Sequence, residues 1–194
     1  GGFTSISKNA TTGAITTQSS ISSAGVSSFD ANTMAVEAGT GITTGTGTIY
    51  RSSVQRVGGI ITTRILIDLT GLRSTGSGDI IGVNGTSLVC HIGQITAARN
   101  GTILTGSMEC FEAPAGGDPD INVHSATEGT GVEDGAIADL TETLLVNAGD
   151  ATLGSKVYFT AVPAADQFLY LTTGDATDAD YTAGKLFIEL MGYE

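Results

Sequence analysis

The stretch Ile61-Thr62-Thr63-Arg64-Ile65-Leu66-Ile67-Asp68-Leu69 decides the fold class of this chain. Its alternate positions are apolar or threonine, while the positions between them include Arg64 and Asp68. Successive side chains of a β-strand point to opposite faces, so a period of two indicates a half-buried strand. The face that we predict to be buried comprises Ile61, Thr63, Ile65, Ile67 and Leu69.

Turn signals around this strand extend the prediction to the whole chain. The pairs Asn84-Gly85 and Asn100-Gly101 are flanked by β-type sequence, and Asn-Gly is the strongest short hairpin signal. We expect residues 80–83 to pair with 87–92, and residues 94–98 to pair with 103–111.

The second half of the chain continues the pattern of short strands. Residues 112–135 read as a long loop with a strand at 121–124, and residues 136–146 fit either a short helix or a strand. The remaining predicted strands are 156–162, 168–172 and 185–191, the last in a central or well-paired position. Many short strands with turns at this spacing predict an all-β fold, an antiparallel sandwich or jelly-roll-like domain.

Composition supports strands and turns over helices. The chain of 194 residues holds 29 Thr, 16 Ser and 28 Gly, and only 14% of its residues are charged. Threonine is β-branched and suits strands, whereas serine and glycine suit turns. Globular domains usually carry about 25% charged residues, so this hydroxyl-rich surface favours packing in an assembly.

The chain divides into two regions by composition. Residues 1–48 are rich in Ser, Thr and Gly, and we expect them to form an extended arm. We expect residues 49–194 to form the β-sandwich domain. Isolated apolar residues would anchor the arm on a neighbouring subunit: Phe3, Ile6, Ile15, Ile21, Val26, Phe29, Met34 and Val36.

The net charge of −12 is unevenly distributed. Residues 1–110 carry a balance of +1 and residues 111–194 a balance of −13. The acidic half would repel phosphates, so nucleic-acid binding is not expected. No apolar run reaches the roughly 20 residues that cross a bilayer. The N-terminus lacks the basic flank and apolar stretch of a signal peptide, so we expect synthesis in the cytoplasm unless a leader has been removed.

Few residues indicate catalysis or a cofactor. The two histidines are His91 and His124, no Gly-x-Ser-x-Gly elbow occurs, and residues 149–156 have phosphate-loop glycine spacing but end in the order Ser-Lys. Cys90 and Cys110 lie in apolar runs, which predicts buried free thiols, with a disulfide between neighbouring strands as the alternative. We therefore predict no enzyme, no catalytic residue, no cofactor and no metal. A glycosidase stays open because acidic residues are abundant.

Acidic clusters and glycosylation-type triplets are two further kinds of candidate site in the sequence. Asp118 with Asp120 forms one cluster that could bind calcium, and a second comprises Asp175, Asp178 and Asp180. Neither matches a complete calcium loop, and solvated turns explain both. Triplets of the Asn-x-Thr type begin at Asn9, Asn84 and Asn100, and turn chemistry explains the latter two.

Several segments resemble a group of uncharacterised proteins encoded by tailed phages, many of them marine. The resemblance spans residues 49–193 and lies in segments 49–60, 65–72, 93–98, 125–131, 168–172 and 181–185. It implies a virion structural protein, namely a capsid decoration or cement protein that binds the major capsid protein and copies of itself. A trimer on the capsid surface is the expected oligomer.

Two other functions stay open at this stage. The protein could instead be a tail, neck or head-fibre component of the virion. It could also be a carbohydrate-binding β-sandwich, which requires exposed aromatic side chains, and the candidates are Tyr50, Tyr170 and Tyr181.

Overall fold

A computed structural model describes residues 6–8, 15–17, 35–85 and 87–194 of the chain. Two compact units are present, residues 1–30 and 31–194. In the first, strands β1 (Ile6–Lys8) and β2 (Ile15–Thr17) pair antiparallel. The second unit contains all the other elements.

The second unit consists almost entirely of antiparallel strands. Two helices of one turn each are present, α1 (Thr40–Thr43) and α2 (Ala97–Asn100), together with a 3-10 turn at Ile137–Asp139. The strands are β3 (Ile49–Val57), β4 (Ile60–Asp68), β5 (Arg73–Ser74), β6 (Gly93–Gln94), β7 (Thr102–Ala115), β8 (Ile121–Ala126), β9 (Glu142–Val146), β10 (Lys156–Tyr158), β11 (Phe168–Thr173), β12 (Ala179–Asp180) and β13 (Ala183–Tyr193).

Two main sheets pack in a sandwich-like arrangement, which confirms the predicted fold class. The first sheet has the order β10-β7-β13-β4-β3 and the second the order β6-β11-β8-β9. Strands β5 and β12 form a separate pair. Ile65, Leu186 and Ile188 from the first sheet and Val123, Leu169 and Leu171 from the second are fully buried in one core. This shared core holds the two sheets together.

Strand β4 follows its sequence pattern closely. Ile61, Thr63, Ile65 and Ile67 are at most 1% exposed, and the residues that alternate with Ile61 to Ile67 are partly accessible. Strand β13 lies between β7 and β4, which confirms the central position that its apolar sequence predicted. Apolar residues suit a strand with a partner on each side, because they fill the core beneath the sheet.

Neither Asn-Gly pair forms the hairpin that we predicted. Gly85 has φ of +68° in a turn, but Gly82 bridges Arg73 and Val89 bridges Val132. Asn100 ends α2, and Gly101, with φ of +66°, reverses the chain into β7. A left-handed residue after a helix also requires glycine, so the dipeptide alone could not distinguish a helix end from a hairpin.

The predicted loop at 112–135 was too long. Residues 112–115 continue β7, and β8 occupies Ile121–Ala126. The ambiguous stretch 136–146 contains both structures, a 3-10 turn followed by strand β9.

Residues 35–48, which we assigned to the arm, contribute to the core of the second unit. Val36 is 1% exposed and Ile42 is fully buried. The Val36 N–H donates to the Ser52 hydroxyl, and the Ser52 hydroxyl donates to the Val36 carbonyl. Most of the predicted arm lies outside the described residues. In the parts of the chain that are described, no helix is long and apolar enough to span a membrane.

Candidate functional site

One group of carboxylates lies where the ends of β8 and β11 meet. Asp120 precedes β8, Asp175 follows β11, and Asp150 bridges the backbone of Asp120. One side-chain oxygen from each of these three residues lies within 4.8 Å of the others. We call these three residues, together with the buried Asp118, the acidic cluster.

Asp118 and Asp120 play different parts in this cluster. The Asp118 carboxylate is 1% exposed and accepts hydrogen bonds from the Asp120 N–H at 3.0 Å and the Asp175 N–H at 2.9 Å. Asp120 Oδ1 is buried without a hydrogen-bond partner among the described residues. Burial raises the pKa of Asp120, and the charges of Asp118, Asp175 and Asp150 raise it further.

The structure regroups the acidic residues that the sequence suggested. Asp178 and Asp180 form ion pairs with Arg73, at 2.7 and 2.8 Å, and therefore do not join the cluster. Asp175 joins Asp120 instead. Asp150 was missed, because its approach depends on a single bridge between segments that are distant in sequence.

The acidic cluster has the donor chemistry of a divalent-cation site but lacks its completeness. Calcium prefers six to eight oxygen ligands, and three carboxylates would leave water to supply much of the shell. Acidic groups of this kind are common without an ion, so we assign no metal to it.

A second feature is the outward side of the five-stranded sheet, which we call the outer face. Cross-strand registers place its residues on the side of β4 opposite the core. Large apolar side chains are exposed along it: Ile49, Val57, Ile60, Phe111, Tyr158, Met191 and Tyr193. Phe111 stacks on Phe187, with ring centroids 5.2 Å apart. This face is apolar in patches along its whole width.

The outer face is also electrically balanced. Its three groups of ion pairs are Arg64 with Glu189 at 2.8 Å, Lys156 with Glu109 at 3.4 Å, and Lys185 with Asp68 and Glu112. Arg51, exposed on β3, adds a fourth cation, so four positive charges match four negative ones. The chain as a whole carries −12, so the excess of negative charge lies elsewhere.

The aromatic residues predicted for carbohydrate binding are not exposed. Tyr170 is fully buried, and its hydroxyl donates to the Glu128 carbonyl at 2.8 Å. Tyr181 is 2% exposed and donates to the Asp118 carbonyl. Tyr50 donates to the Ile92 carbonyl. The rings of Tyr170 and Tyr181 fill the core and the ring of Tyr50 packs against it, while each hydroxyl satisfies a backbone carbonyl. The sequence alone could not distinguish such residues from surface tyrosines.

Both cysteines are buried free thiols. Burial raises the pKa of the Cys90 thiol to about 12 and also raises the pKa of Cys110. A thiol that stays protonated is a poor nucleophile, so neither residue suits covalent catalysis.

The histidines lie at separate places. His124 Nδ1 is 2.7 Å from Glu142 Oε2, and this pair links β8 to β9. His91 packs on Phe168, and burial lowers its pKa. No local sequence pattern indicates the His124–Glu142 pair, because its two residues are 18 positions apart.

The remaining sequence motifs have structural explanations. In the segment with phosphate-loop spacing, Lys156 begins strand β10 rather than a helix, so the segment lacks the helix N-terminus of such a loop. Asn100 is fully buried and donates to the Thr63 hydroxyl, so it is not accessible to a glycosyltransferase. Asn9 lies outside the described residues.

Comparison with known proteins identifies no relative: no family model, no curated protein and no solved structure matches the chain.

Proposed function

We propose that this protein is a structural component of a phage virion, a capsid decoration protein that packs its outer face on the major capsid protein. One observation carries the proposal, namely that the outer face is apolar and charge-balanced in a chain of net charge −12. Burying such a face removes apolar area from water, and every acidic side chain on it already has a cationic partner. The acidic remainder of the surface stays in water.

The phage assignment comes from the sequence resemblance, and the contact surface comes from the fold. Exposed apolar patches framed by ion pairs are typical of protein interfaces. A decoration protein needs a contact of roughly 1,200–2,000 Å² in total, which one face of a five-stranded sheet can supply. A tail or neck component would use the same kind of surface, so the particle on which the protein sits must be tested directly.

Co-sedimentation with phage heads that lack the protein tests the proposal. We expect binding at a fixed ratio to the major capsid protein. Met191→Glu places a charge on the outer face and should weaken binding about tenfold or more. Val162→Glu is the matched control, because Val162 and Met191 are both 41% exposed but Val162 lies outside the strands. No binding by the folded wild type, or equal loss with both variants, would refute the proposal.

To test whether the arm contributes to binding, the deletion must end before the boundary at residue 48 that composition suggests. Deleting residues 1–48 would remove Val36 and Ile42 from the core, so loss of binding could reflect unfolding. Deleting residues 1–34 spares both. If the arm anchors the protein, this shorter deletion should abolish co-sedimentation while the thermal unfolding transition is retained.

A further inference from the structure

Strand β3 lies at the edge of the five-stranded sheet. Its nine residues all pair with β4 without a register shift, and its sequence contains no proline. Among the described residues, no strand pairs with its other side. Natural proteins usually shorten, bulge or cover such an edge, because its unpaired N–H and C=O groups can recruit another strand.

The hairpin turn fixes which backbone groups of β3 point to this edge. Gly58 and Gly59, with φ of +60° and +82°, form a two-residue turn that joins Val57 to Ile60. In such a hairpin the flanking pair exchanges both hydrogen bonds, and bonded positions alternate from there. The residues whose N–H and C=O groups face outward are therefore Tyr50, Ser52, Val54 and Arg56. In agreement, the Arg51 guanidinium donates to the Tyr50 carbonyl at 2.8 Å.

The edge is complementary to itself about Ser53, its middle residue. In an antiparallel pair centred there, Ile49 of one copy lies opposite Val57 of the other, and both side chains are exposed, at 44% and 66%. Arg51 lies opposite the neutral Gln55. No like charges meet, and apolar pairs form at both ends. Arg56 is already paired with Glu194, so it brings no unpaired charge to the contact.

We propose that two copies of this chain associate by antiparallel pairing of their β3 strands about a two-fold axis at Ser53. The outward backbone groups of Ser52 and Val54 bond to Val54 and Ser52 of the second copy. The two five-stranded sheets then form one continuous sheet. The occupant is a second copy because the exposed residues of the edge match themselves about Ser53, with Ile49 opposite Val57 and Arg51 opposite the neutral Gln55.

The dimer does not rest on the virion role, and it differs from the trimer that the sequence suggested. It joins the copies at a strand that carries two arginines, Arg51 and Arg56, and no acidic residue, which limits the repulsion between two molecules of charge −12. The outer faces of both copies stay open on the same side of the joined sheet. Capsid binding and dimer formation can therefore fail independently.

Cysteine cross-linking tests the register. With Ser53 on the axis, the two Cα atoms of this residue form a non-hydrogen-bonded pair about 4.5 Å apart, within disulfide range. Gln55 is the matched control, on the same strand and face, but its two copies lie roughly 14 Å apart. In the full chain, Ser53→Cys should give a disulfide-linked dimer under mild oxidation and Gln55→Cys should not. Equal cross-linking of both variants, or of neither, would overturn the proposal.

Light scattering tests the association without a covalent bond. The wild type should have twice the monomer mass of 19.6 kDa. Ser53→Lys places two ammonium groups opposite each other and should weaken dimerisation about tenfold or more. Thr105→Lys adds the same charge to an exposed position on β7, away from the edge, and should leave the dimer intact. A monomeric or trimeric wild type, or a dimer unaffected by Ser53→Lys, would overturn the proposal.

Discussion

The five-stranded sheet has one face against the core and one face open, whereas the central strands of the four-stranded sheet, β8 and β11, are buried on both faces. All six residues of β8 and five of the six in β11 are buried. Segment 127–140 covers the second face of this smaller sheet, because the Tyr170 hydroxyl bonds to the backbone of Glu128 and Gly131. The chain therefore covers the central strands of the smaller sheet with its own segments, whereas the open face of the larger sheet is left as a surface that a partner can bind.

The largest expected effect comes from the covered face of the smaller sheet. Tyr170→Ala should lower the free energy of unfolding by about 3–5 kcal/mol, because it empties a buried ring site and leaves Glu128 and Gly131 without their partner. Tyr158→Ala, on the outer face at 67% exposure, should cost less than about 0.5 kcal/mol. Denaturant unfolding measures both. Similar losses would mean that the two sheets are equally covered.

A smaller loss should follow truncation of the aromatic pair on the outer face. Phe111→Ala removes its stacking on Phe187, and Phe111 is 46% exposed. We expect a loss of about 1–2 kcal/mol, combining modest apolar burial with the ring interaction. Phe111→Leu, as a control in denaturant unfolding, should recover part of it. A loss as large as that for Tyr170→Ala would show that this face behaves as core.

The ionised carboxylate of Asp120, at the end of the smaller sheet, should lower the stability of the folded protein at neutral pH. Because the pKa of Asp120 is raised in the folded state, its ionisation is destabilising, and stability is lost as pH rises through the folded pKa. Asp120→Asn should therefore raise Tm by about 2 °C at pH 7, and the gain should vanish below the unfolded pKa. Thermal unfolding with a chelator measures this effect.

The same variant distinguishes a metal site from simple repulsion. If calcium raises the Tm of the wild type and this rise disappears in Asp120→Asn, a cation occupies the acidic cluster. Stabilisation of Asp120→Asn in both the presence and absence of calcium would instead confirm unrelieved repulsion among Asp120, Asp150 and Asp175.

The smallest effect is expected for ion pairs on the outer face. Arg64 and Glu189 are 43% and 35% exposed, so water screens their attraction. Arg64→Gln should change the free energy of unfolding by less than about 0.5 kcal/mol. A double-mutant cycle with Glu189→Gln gives the coupling between the two side chains. A coupling above about 2 kcal/mol would show that the face is less accessible than its geometry indicates.

Strand β4 of the five-stranded sheet and strand β11 of the four-stranded sheet were delimited to within about one residue, whereas β7, β8 and β10 were delimited less well. In β4 one face meets apolar atoms and the other meets water, so the sequence alternates and both the strand and its buried face could be identified. Strand β8 was predicted only for residues 121–124, inside a longer loop. Residues Ile121 to His124 alternate between apolar and polar, as in β4, but Ser125 and Ala126 break the alternation, so the end of the strand could not be identified.

The acidic cluster and the buried tyrosines could also be predicted only in part from the sequence. Asp118 and Asp120 are neighbours in sequence and were found together, but Asp150 and Asp175 reach them only because β8 and β11 pair. The buried positions of Tyr170 and Tyr181 depend on carbonyl groups far along the chain. No local pattern encodes such contacts.

By itself, the sequence determined the all-β class, the buried face of β4 and the concentration of negative charge in residues 111–194. These follow from backbone geometry and side-chain polarity, which act over a few residues. Only the tertiary structure decided that both Asn-Gly pairs turn without forming hairpins, that Val36 and Ile42 belong to the core, and that the outer face is charge-balanced. These depend on which distant strands become neighbours, because packing two sheets around one core selects their partners.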